Sequence, residues 1–387
     1  MTVFCSHFTQ SSCRSCEWME LDYPAQLLKK EEQLRHSLEF FSPFALEPTV
    51  RSKRQGFRNR AKMSVTGTVE QPVIGLLGED VLDAGRELLN CPIHHPKLNE
   101  LLVALPELIR KYKLIPYNIA SRKGELKALI AYYSPGPENQ SGQFYLRFVL
   151  RSKECVSRLR KALPELQSRI PELVCISANI QPVPHAILEG PEEILITERA
   201  TIDYWLGALK LRLAPQAFVQ TNQEVAVELY QTAARWIGEA QQGRRGKCLE
   251  LYCGQGAFSF AAANMAEEFL GIEINPEAVR NANAQAAELG LGHLKFICAD
   301  ATQVEAELQA HRPELVLVNP PRKGLGGAVE LLLRNPPEQL LYSSCNVDTL
   351  ASDLRILATG YRLRRAQIFD MFPHTEHFET LVWLGRT

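Results

Sequence analysis

From Lys247 onward, short apolar runs alternate with helical stretches, and every run stops at a polar or glycine-rich turn. Lys247 to Tyr252 gives way to Cys253-Gly254-Gln255-Gly256 and a helix. The next run ends at Gly271-Ile272-Glu273-Ile274, and Leu294 to Cys298 ends before Asp300. Glu314 to Val318 ends before Asn319, and Gln339 to Tyr342 before Ser343-Ser344-Cys345-Asn346. Apolar runs of strand length separated by helices form parallel sheets covered on both faces. This half is therefore predicted to be a doubly wound, Rossmann-like α/β domain. Ligands of such sheets bind outside the carboxyl ends of the strands, where these polar residues fall.

A Gly-x-Gly turn at Gly254 and Gly256 lets the backbone approach a ligand closely, although only the first two glycines of a dinucleotide fingerprint are present. Glu273 is placed to accept hydrogen bonds from ribose hydroxyls, and Asp300 to meet an adenine edge. No basic loop of pyrophosphate size accompanies them. S-adenosylmethionine, a nucleoside with a non-phosphate tail, fits better than a nicotinamide. In Asn319-Pro320-Pro321-Arg322-Lys323-Gly324 two prolines remove two donors and stiffen the turn, which fixes where Asn319 and Arg322 point. Cys345 stands at a strand end with a helix start, Asn346 to Asp348, behind it. A thiol there is either a core residue or a nucleophile in the crevice. Glu376 and Glu379 are acid or base candidates. His374 and His377 are ligand candidates, although isolated histidines of this kind are more often structural.

The chain has 387 residues, enough for two or three domains, with 45% hydrophobic and 22% charged residues, as in ordinary globular proteins. No apolar run reaches roughly 18 residues, so no membrane span is expected. The N-terminus lacks a basic region followed by an apolar one, so a cytoplasmic location is expected and the ten cysteines are read as ligands, catalysts or core residues. Cys5, Cys13 and Cys16 form C-x7-C-x2-C, and Cys91-Pro92 is the candidate fourth ligand. A [4Fe–4S] cluster is favoured, and zinc on four thiolates remains open. His94 and His95 are further candidate ligands. Residues 17 to 48 have a helical pattern and are expected to pack around this metal-bearing knot. Arg51 to Lys62 carries six cations around Phe57, the pattern of a phosphate-tracking surface with a stacking platform. Net charge is −1, so any nucleic-acid partner must be met locally.

Strands are predicted at Lys62 to Thr68, Val73 to Leu77, Ala128 to Tyr133, Phe144 to Ser152, Leu173 to Asn179 and Ala186 to Glu189. Helices are predicted at Lys97 to Tyr112 and at Glu154 to Leu163, the latter stopped by Pro164. Cys155 and Cys175 are expected in the core. Together these elements read as an α+β binding domain. A helix from Gln223 to Ala240, capped by Asn222, opens the last part. The expected domains are 1–48 for the metal segment, 49–205 for the central RNA-binding domain and 206–387 for the cofactor domain.

Gln220-Thr221-Asn222, Leu251-Tyr252-Cys253-Gly254, Asn319-Pro320-Pro321-Arg322, Ser344-Cys345-Asn346 and Phe372-Pro373-His374-Thr375 occur in that order. Together they resemble the RNA uracil-C5 methyltransferases over nearly the whole chain. Gln55 to Met63, Asn319 to Gly324 and the start at the cysteine group are similar to the subfamily that methylates uracil 747 of 23S ribosomal RNA. The resemblance implies a [4Fe–4S] cluster on Cys5, Cys13, Cys16 and Cys91. It implies S-adenosylmethionine contacts by Gln220, Tyr252, Glu273 and Asn319, with Cys345 as nucleophile and Glu379 as base. Asn319 and Glu250 stand where many members carry Asp, and an amide at 319 hydrogen-bonds without charge. Arg322 is the candidate stabiliser of the enolate oxygen. A monomer acting on ribosomal RNA is expected, with neither DNA nor a membrane as partner. Alternatives are the same chemistry on another ribosomal or transfer RNA uridine, an amino-group methyltransferase, and a non-enzymatic iron–sulfur RNA-binding protein. Cys345 and the Arg322 that follows Asn-Pro-Pro argue against the amino-group reading.

Overall fold

The computed structural model describes residues 3–77, 85–183 and 189–387, arranged as two compact units. One comprises Met1–Glu20 with Lys53–Gln216, the other Leu21–Ser52 with Ala217–Thr387.

The second unit is built on an eight-stranded sheet. Its strands lie side by side in the order Ala45–Leu46, Tyr361–Phe369, Glu379–Arg386, Gln339–Ser344, Leu315–Val318, Gly246–Leu251, Ala266–Glu273 and Leu294–Cys298. The last five pair in parallel, and Glu379–Arg386 runs antiparallel to both of its neighbours. Leu249, Leu251, Val316, Val318 and Leu340 are wholly buried, as apolar runs covered on both faces require. The predicted doubly wound sheet is thus present. Tyr361–Phe369 adds a strand that the apolar runs do not reveal, because Arg362 and Arg364 interrupt it on its exposed positions. The helix Gln223–Ala240 has the predicted bounds, and Asn222 Oδ1 accepts from Val225 N at 3.4 Å.

Residues 21–52 do not pack around the cysteine segment as expected; they belong to the sheet unit. The helix Tyr23–Ser37 places Leu27, Lys30 and Leu34 on one buried face, and Leu34 and Leu38 join a core with Leu350, Leu354 and Tyr361. Burying each leucine contributes roughly 1.5–3 kcal/mol, and the strand Ala45–Leu46 then pairs with Arg365 and Ala366. Apolar area in the sheet unit thus holds a segment that the sequence places beside the thiols. The boundary between the units falls after Gln216.

The first unit holds a seven-stranded sheet ordered Arg86–Glu87, Pro72–Leu76, Arg60–Gly67, Leu126–Ser134, Gln143–Leu150, Leu173–Ile180 and Glu192–Leu195. The helices Pro96–Lys111 and Val156–Arg169 pack their leucines into its core, where Cys155 also lies; Cys175 too is wholly buried. Pro164 does not stop the second helix, which runs on to Arg169. It is exposed, so the carbonyl it leaves unpaired faces water while Leu159, Ala162 and Leu166 stay buried. Of the strand expected at Ala186 to Glu189, residues 186–188 lie outside the described residues. No described helix is long and apolar enough to cross a membrane.

Candidate active site

The sheet's strand order reverses between Gly246–Leu251 and Leu315–Val318, and a crevice forms beyond the carboxyl ends at such a reversal. Beyond the first strand, Tyr252, Gly254 and Gly256 take left-handed φ values of 61°, 55° and 80°. A Cβ at Gly256 would lie 2.6 Å from the Phe296 ring, so the turn excludes any other residue there. Tyr252 is tied down by its hydroxyl, which donates to Leu325 O at 2.8 Å. Glu273 accepts from Gly254 N on one oxygen and from Asn275 N on the other, both at 2.9 Å. Each oxygen keeps a lone pair for a further donor. Ile274, next to it, is 67% exposed, apolar surface on the edge of the crevice that sequence reasoning passed over. Asp300 Oδ1 accepts from Thr302 N at 2.9 Å and Thr302 Oγ1 at 2.8 Å, bonds that hold its carboxyl below the usual range. Glu250 is buried beneath the turn, accepts from Ser259 N at 3.0 Å and from its hydroxyl, and is pushed up to about 8 by burial.

The thiol site is assembled from four chain segments. Cys345 follows the strand Gln339–Ser344 and precedes the helix Val347–Leu357. Asn346 caps that helix, its Oδ1 accepting from Asp348 N at 3.0 Å and Thr349 N at 3.4 Å. Arg322 O accepts from Asn346 Nδ2 at 3.2 Å and Thr349 Oγ1 at 3.1 Å, so the Pro-Pro-Arg turn is fastened to the same helix start. Cys345 is half-buried and lines a cavity of about 210 Å³ with Gln33, Arg322, Asn346, His377 and Phe378, a volume that admits a pyrimidine ring. It is not walled into the core. Gln33 comes from the helix Tyr23–Ser37, and nothing in that helix's sequence marks it.

Glu379 opens the strand Glu379–Arg386 and is 3% exposed. Gln220 Nε2 donates to its Oε1 at 3.0 Å, while its buried Oε2 has no hydrogen-bond partner. Burial pushes this carboxyl up to about 7, against the Gln220 hydrogen bond and the Arg322 charge. Burial also raises the Cys345 thiol, followed by the Glu379 charge, and the Arg322 guanidinium opposes both through its charge and a hydrogen bond. Arg322 thus faces the sulfur. Asn319 closes the adjacent strand, its N donating to Leu251 O at 3.4 Å. Of the two histidines, His374 is buried with Gln26 on its Nδ1 at 3.3 Å, a structural place, and His377 is exposed at the cavity.

In the other unit, Cys5, Cys16 and Cys91 are buried and Cys13 is half-buried. Cys5 and Cys16 form an apolar knot with Val3, Phe8 and Met19, against which Ile93 packs. Cys16 is pushed up to about 12 by burial and then by the charges of Cys91, Cys13 and Cys5, with Arg58 opposing. The four thiols therefore share one neighbourhood. Among the described residues, no three His, Cys, Asp or Glu side chains are set to hold a single metal ion. His94 is buried and held down to about 4 by burial, and His95 caps the helix Pro96–Lys111, its Nδ1 accepting from Lys97 N at 3.2 Å. Phe57, expected as a stacking platform, is only 6% exposed. Arg60 is buried, and Lys62 Nζ donates to Glu189 at 2.7 Å, so part of the basic run is turned inward or paired. Arg51, Lys53 and Arg54 are exposed, as is the paired Lys62.

The tRNA (uracil-5-)-methyltransferase family matches residues 207–387. The chain is 42% identical over 388 aligned residues to the 23S rRNA (uracil(747)-C(5))-methyltransferase RlmC of Pectobacterium atrosepticum, covering 99% of this chain and 100% of that protein. It belongs to the RNA uracil-C5 methyltransferases. The RlmC protein of Yersinia pestis is 41% identical over 383 residues, covering 99% of each chain. Among solved structures, the tRNA (uracil-54, C5)-methyltransferase of Pyrococcus abyssi, in complex with S-adenosyl-L-homocysteine, superposes with a TM-score of 0.78 at 24% identity. It covers 95% of this chain and 85% of that one, a likeness that carries the methyltransferase fold. The family motifs of this uracil-C5 methyltransferase are the strand ends that enclose the crevice and the thiol cavity.

Proposed function

We propose that this chain methylates C5 of uridine 747 in 23S ribosomal RNA, the reaction named for its curated relatives, through a transient bond from Cys345 to C6 of the base. S-adenosylmethionine, when bound, supplies an electrophilic methyl group. Glu273 would hold its ribose, Asp300 its adenine edge and Ile274 the adenine face. Gly254 and Gly256 give it backbone room, and Gln220, Tyr252 and Asn319 complete the contacts.

Uracil C5 is a poor nucleophile. Addition of the Cys345 sulfur to C6 turns C5 into an enolate carbon, which replaces one hard step with easier ones. The Arg322 guanidinium lowers the cost of the thiolate form and, lining the same cavity, would stabilise the developing enolate oxygen. After C5 has been methylated, Glu379 Oε2 takes the C5 proton. The electron pair of that C–H bond forms the C5–C6 double bond, and the C6–S bond breaks to return the thiolate. A carboxylate that titrates near neutrality can both accept this proton and release it to water. To reach the cavity the base must leave its stack.

The observation that carries the reading is a half-buried thiol electrostatically coupled to a carboxylate whose second oxygen is unpaired. Cys5, Cys13, Cys16 and Cys91 share one neighbourhood and would be the thiolate donors of a [4Fe–4S] cluster. Its role would be structural, as the reaction contains no redox step. Lys53 and Arg54 would track the phosphates of the surrounding RNA. The enzyme is expected to act as a cytoplasmic monomer. Mapping 5-methyluridine in ribosomal RNA from cells with and without this protein tests the substrate. The mark at position 747 should vanish with the protein, and its persistence, with loss of a mark elsewhere, would move the activity to another uridine. Iron and sulfide content after anaerobic purification tests the cluster, and zinc in their place would overturn it.

A further inference from the structure

The strands Tyr361–Phe369 and Glu379–Arg386 are joined by residues 370–378, an irregular loop that delivers the chain to Glu379. One face of the helix Tyr23–Ser37 grips this loop along its length. Lys30, which is wholly buried, donates from Nζ to Asp370 Oδ1 at 2.6 Å, Phe372 O at 3.1 Å and His377 O at 2.9 Å. An ammonium has three protons, and here they join the loop's first residue to a residue two before Glu379. Tyr23 donates to Asp370 Oδ2 at 2.7 Å, and Gln26 Oε1 accepts from His374 N at 2.8 Å. His374 has a left-handed φ of 67°, a conformation that this grip holds in place. Tyr23, Gln26 and Lys30 follow one another at three- and four-residue spacing, the spacing of a single helix face. Gln33, the next residue on that face, lines the thiol cavity with His377 and Phe378.

We propose that Lys30 is a positioning residue for the reaction: by tying both ends of the 370–378 loop together it sets where the Glu379 carboxylate meets the C5 proton. This rests on Glu379 being the base. A buried ammonium is expensive, and an apolar side chain could fill the same space at no electrostatic cost. What an apolar side chain cannot do is fix two backbone carbonyls and a carboxylate in one geometry, and proton abstraction is sensitive to such geometry. Loss of the grip should therefore slow the step that needs Glu379 more than the steps that need Cys345.

The test is single-turnover methylation of an RNA hairpin carrying the target uridine, with S-adenosylmethionine, by Lys30→Met and, beside it, Glu379→Gln. In Lys30→Met, product release should fall by about tenfold to a hundredfold while first-turnover methyl incorporation stays near wild type. A denaturation-resistant RNA–protein band should build up. A role in folding alone would lower incorporation, release and S-adenosylhomocysteine binding together and leave no such band. Should Lys30→Met fail to fold, Lys30→Met with Asp370→Asn removes both charges and keeps the shape, and the same band is expected because the carbonyls of Phe372 and His377 still lose their donor. Normal release by the folded variant, with a band in Glu379→Gln, overturns the role of Lys30. Absence of the band in Glu379→Gln overturns the base assignment and this proposal with it.

Discussion

Two buried charges, Arg147 in the first unit and Glu379 in the sheet unit, are treated in opposite ways. On the sheet of the first unit Arg147 is 1% exposed and fully engaged. Its Nε and Nη2 meet Glu193 at 2.9 and 2.6 Å, and its Nη1 meets Glu189 at 2.6 Å. In the sheet unit Glu379 is buried almost as deeply, yet one of its oxygens has no donor and its carboxyl is held near 7. A matched buried charge fixes structure, whereas an undermatched one is ready to take a proton.

Substitutions at the two sites should therefore fail differently. Cys345→Ala removes the proposed nucleophile, so methyl transfer should fall by at least about 10⁴-fold. Calorimetry with S-adenosylhomocysteine should still show binding, and residual wild-type-like turnover would refute the nucleophile. Glu379→Gln should lower turnover by about 10²–10⁴-fold and leave the methylated RNA bound covalently, visible as a shifted band on a denaturing gel. Its melting temperature should not fall, because the amide replaces a carboxylate that burial penalises. Arg147→Met should do the reverse. It takes the cation away from Glu193 and leaves Glu189 paired with Lys62, and is expected to destabilise the first unit by about 3–5 kcal/mol in denaturant unfolding. If Arg147→Met left stability unchanged, the contrast would break.

The pH dependence sharpens the same contrast. A carboxyl raised to about 7 is protonated below that value and cannot accept the C5 proton, so turnover should decline as pH falls through about 7. Gln220→Leu removes the bond that favours the ionised form, so this acid limb should move to higher pH. An acid limb that stays put would mean that another group governs it. By linkage, Glu379 costs stability where the folded carboxyl is ionised, above about 7, and this cost disappears as pH falls toward the ordinary carboxylate range. The smallest effect is expected at the basic run. Lys53→Ala with Arg54→Ala should weaken RNA binding evenly across sequences and flatten its salt dependence by roughly one to two unit slopes. Phe57→Ala should act on stability instead, since the ring is buried.

The strands that end at Glu273, Asn319 and Cys345 are legible because parallel strands covered on both faces leave continuous apolar runs. Functional groups then stand where each run stops. Spacing singled out Cys5, Cys13 and Cys16, and the structure brings Cys91 near them, while no described group of side chains is set to hold a single metal ion. The basic run was misread in part: charge counts do not say which cations find carboxylates, and Glu189, the partner of Lys62, is 127 residues away. The helix Tyr23–Ser37 was assigned to the wrong neighbour because its apolar face matches any core, and only packing shows which one it joins.

Residue order by itself determined the doubly wound sheet, the family and the residues that face its crevice, because those depend on periodicity and on motifs a few residues long. Only the tertiary structure decided that Glu379 lacks a donor on one oxygen, that Arg322 and Cys345 line one cavity and that Lys30 ties the loop before Glu379. Each of these depends on groups brought together from distant parts of the chain, and a local pattern carries no record of such distances.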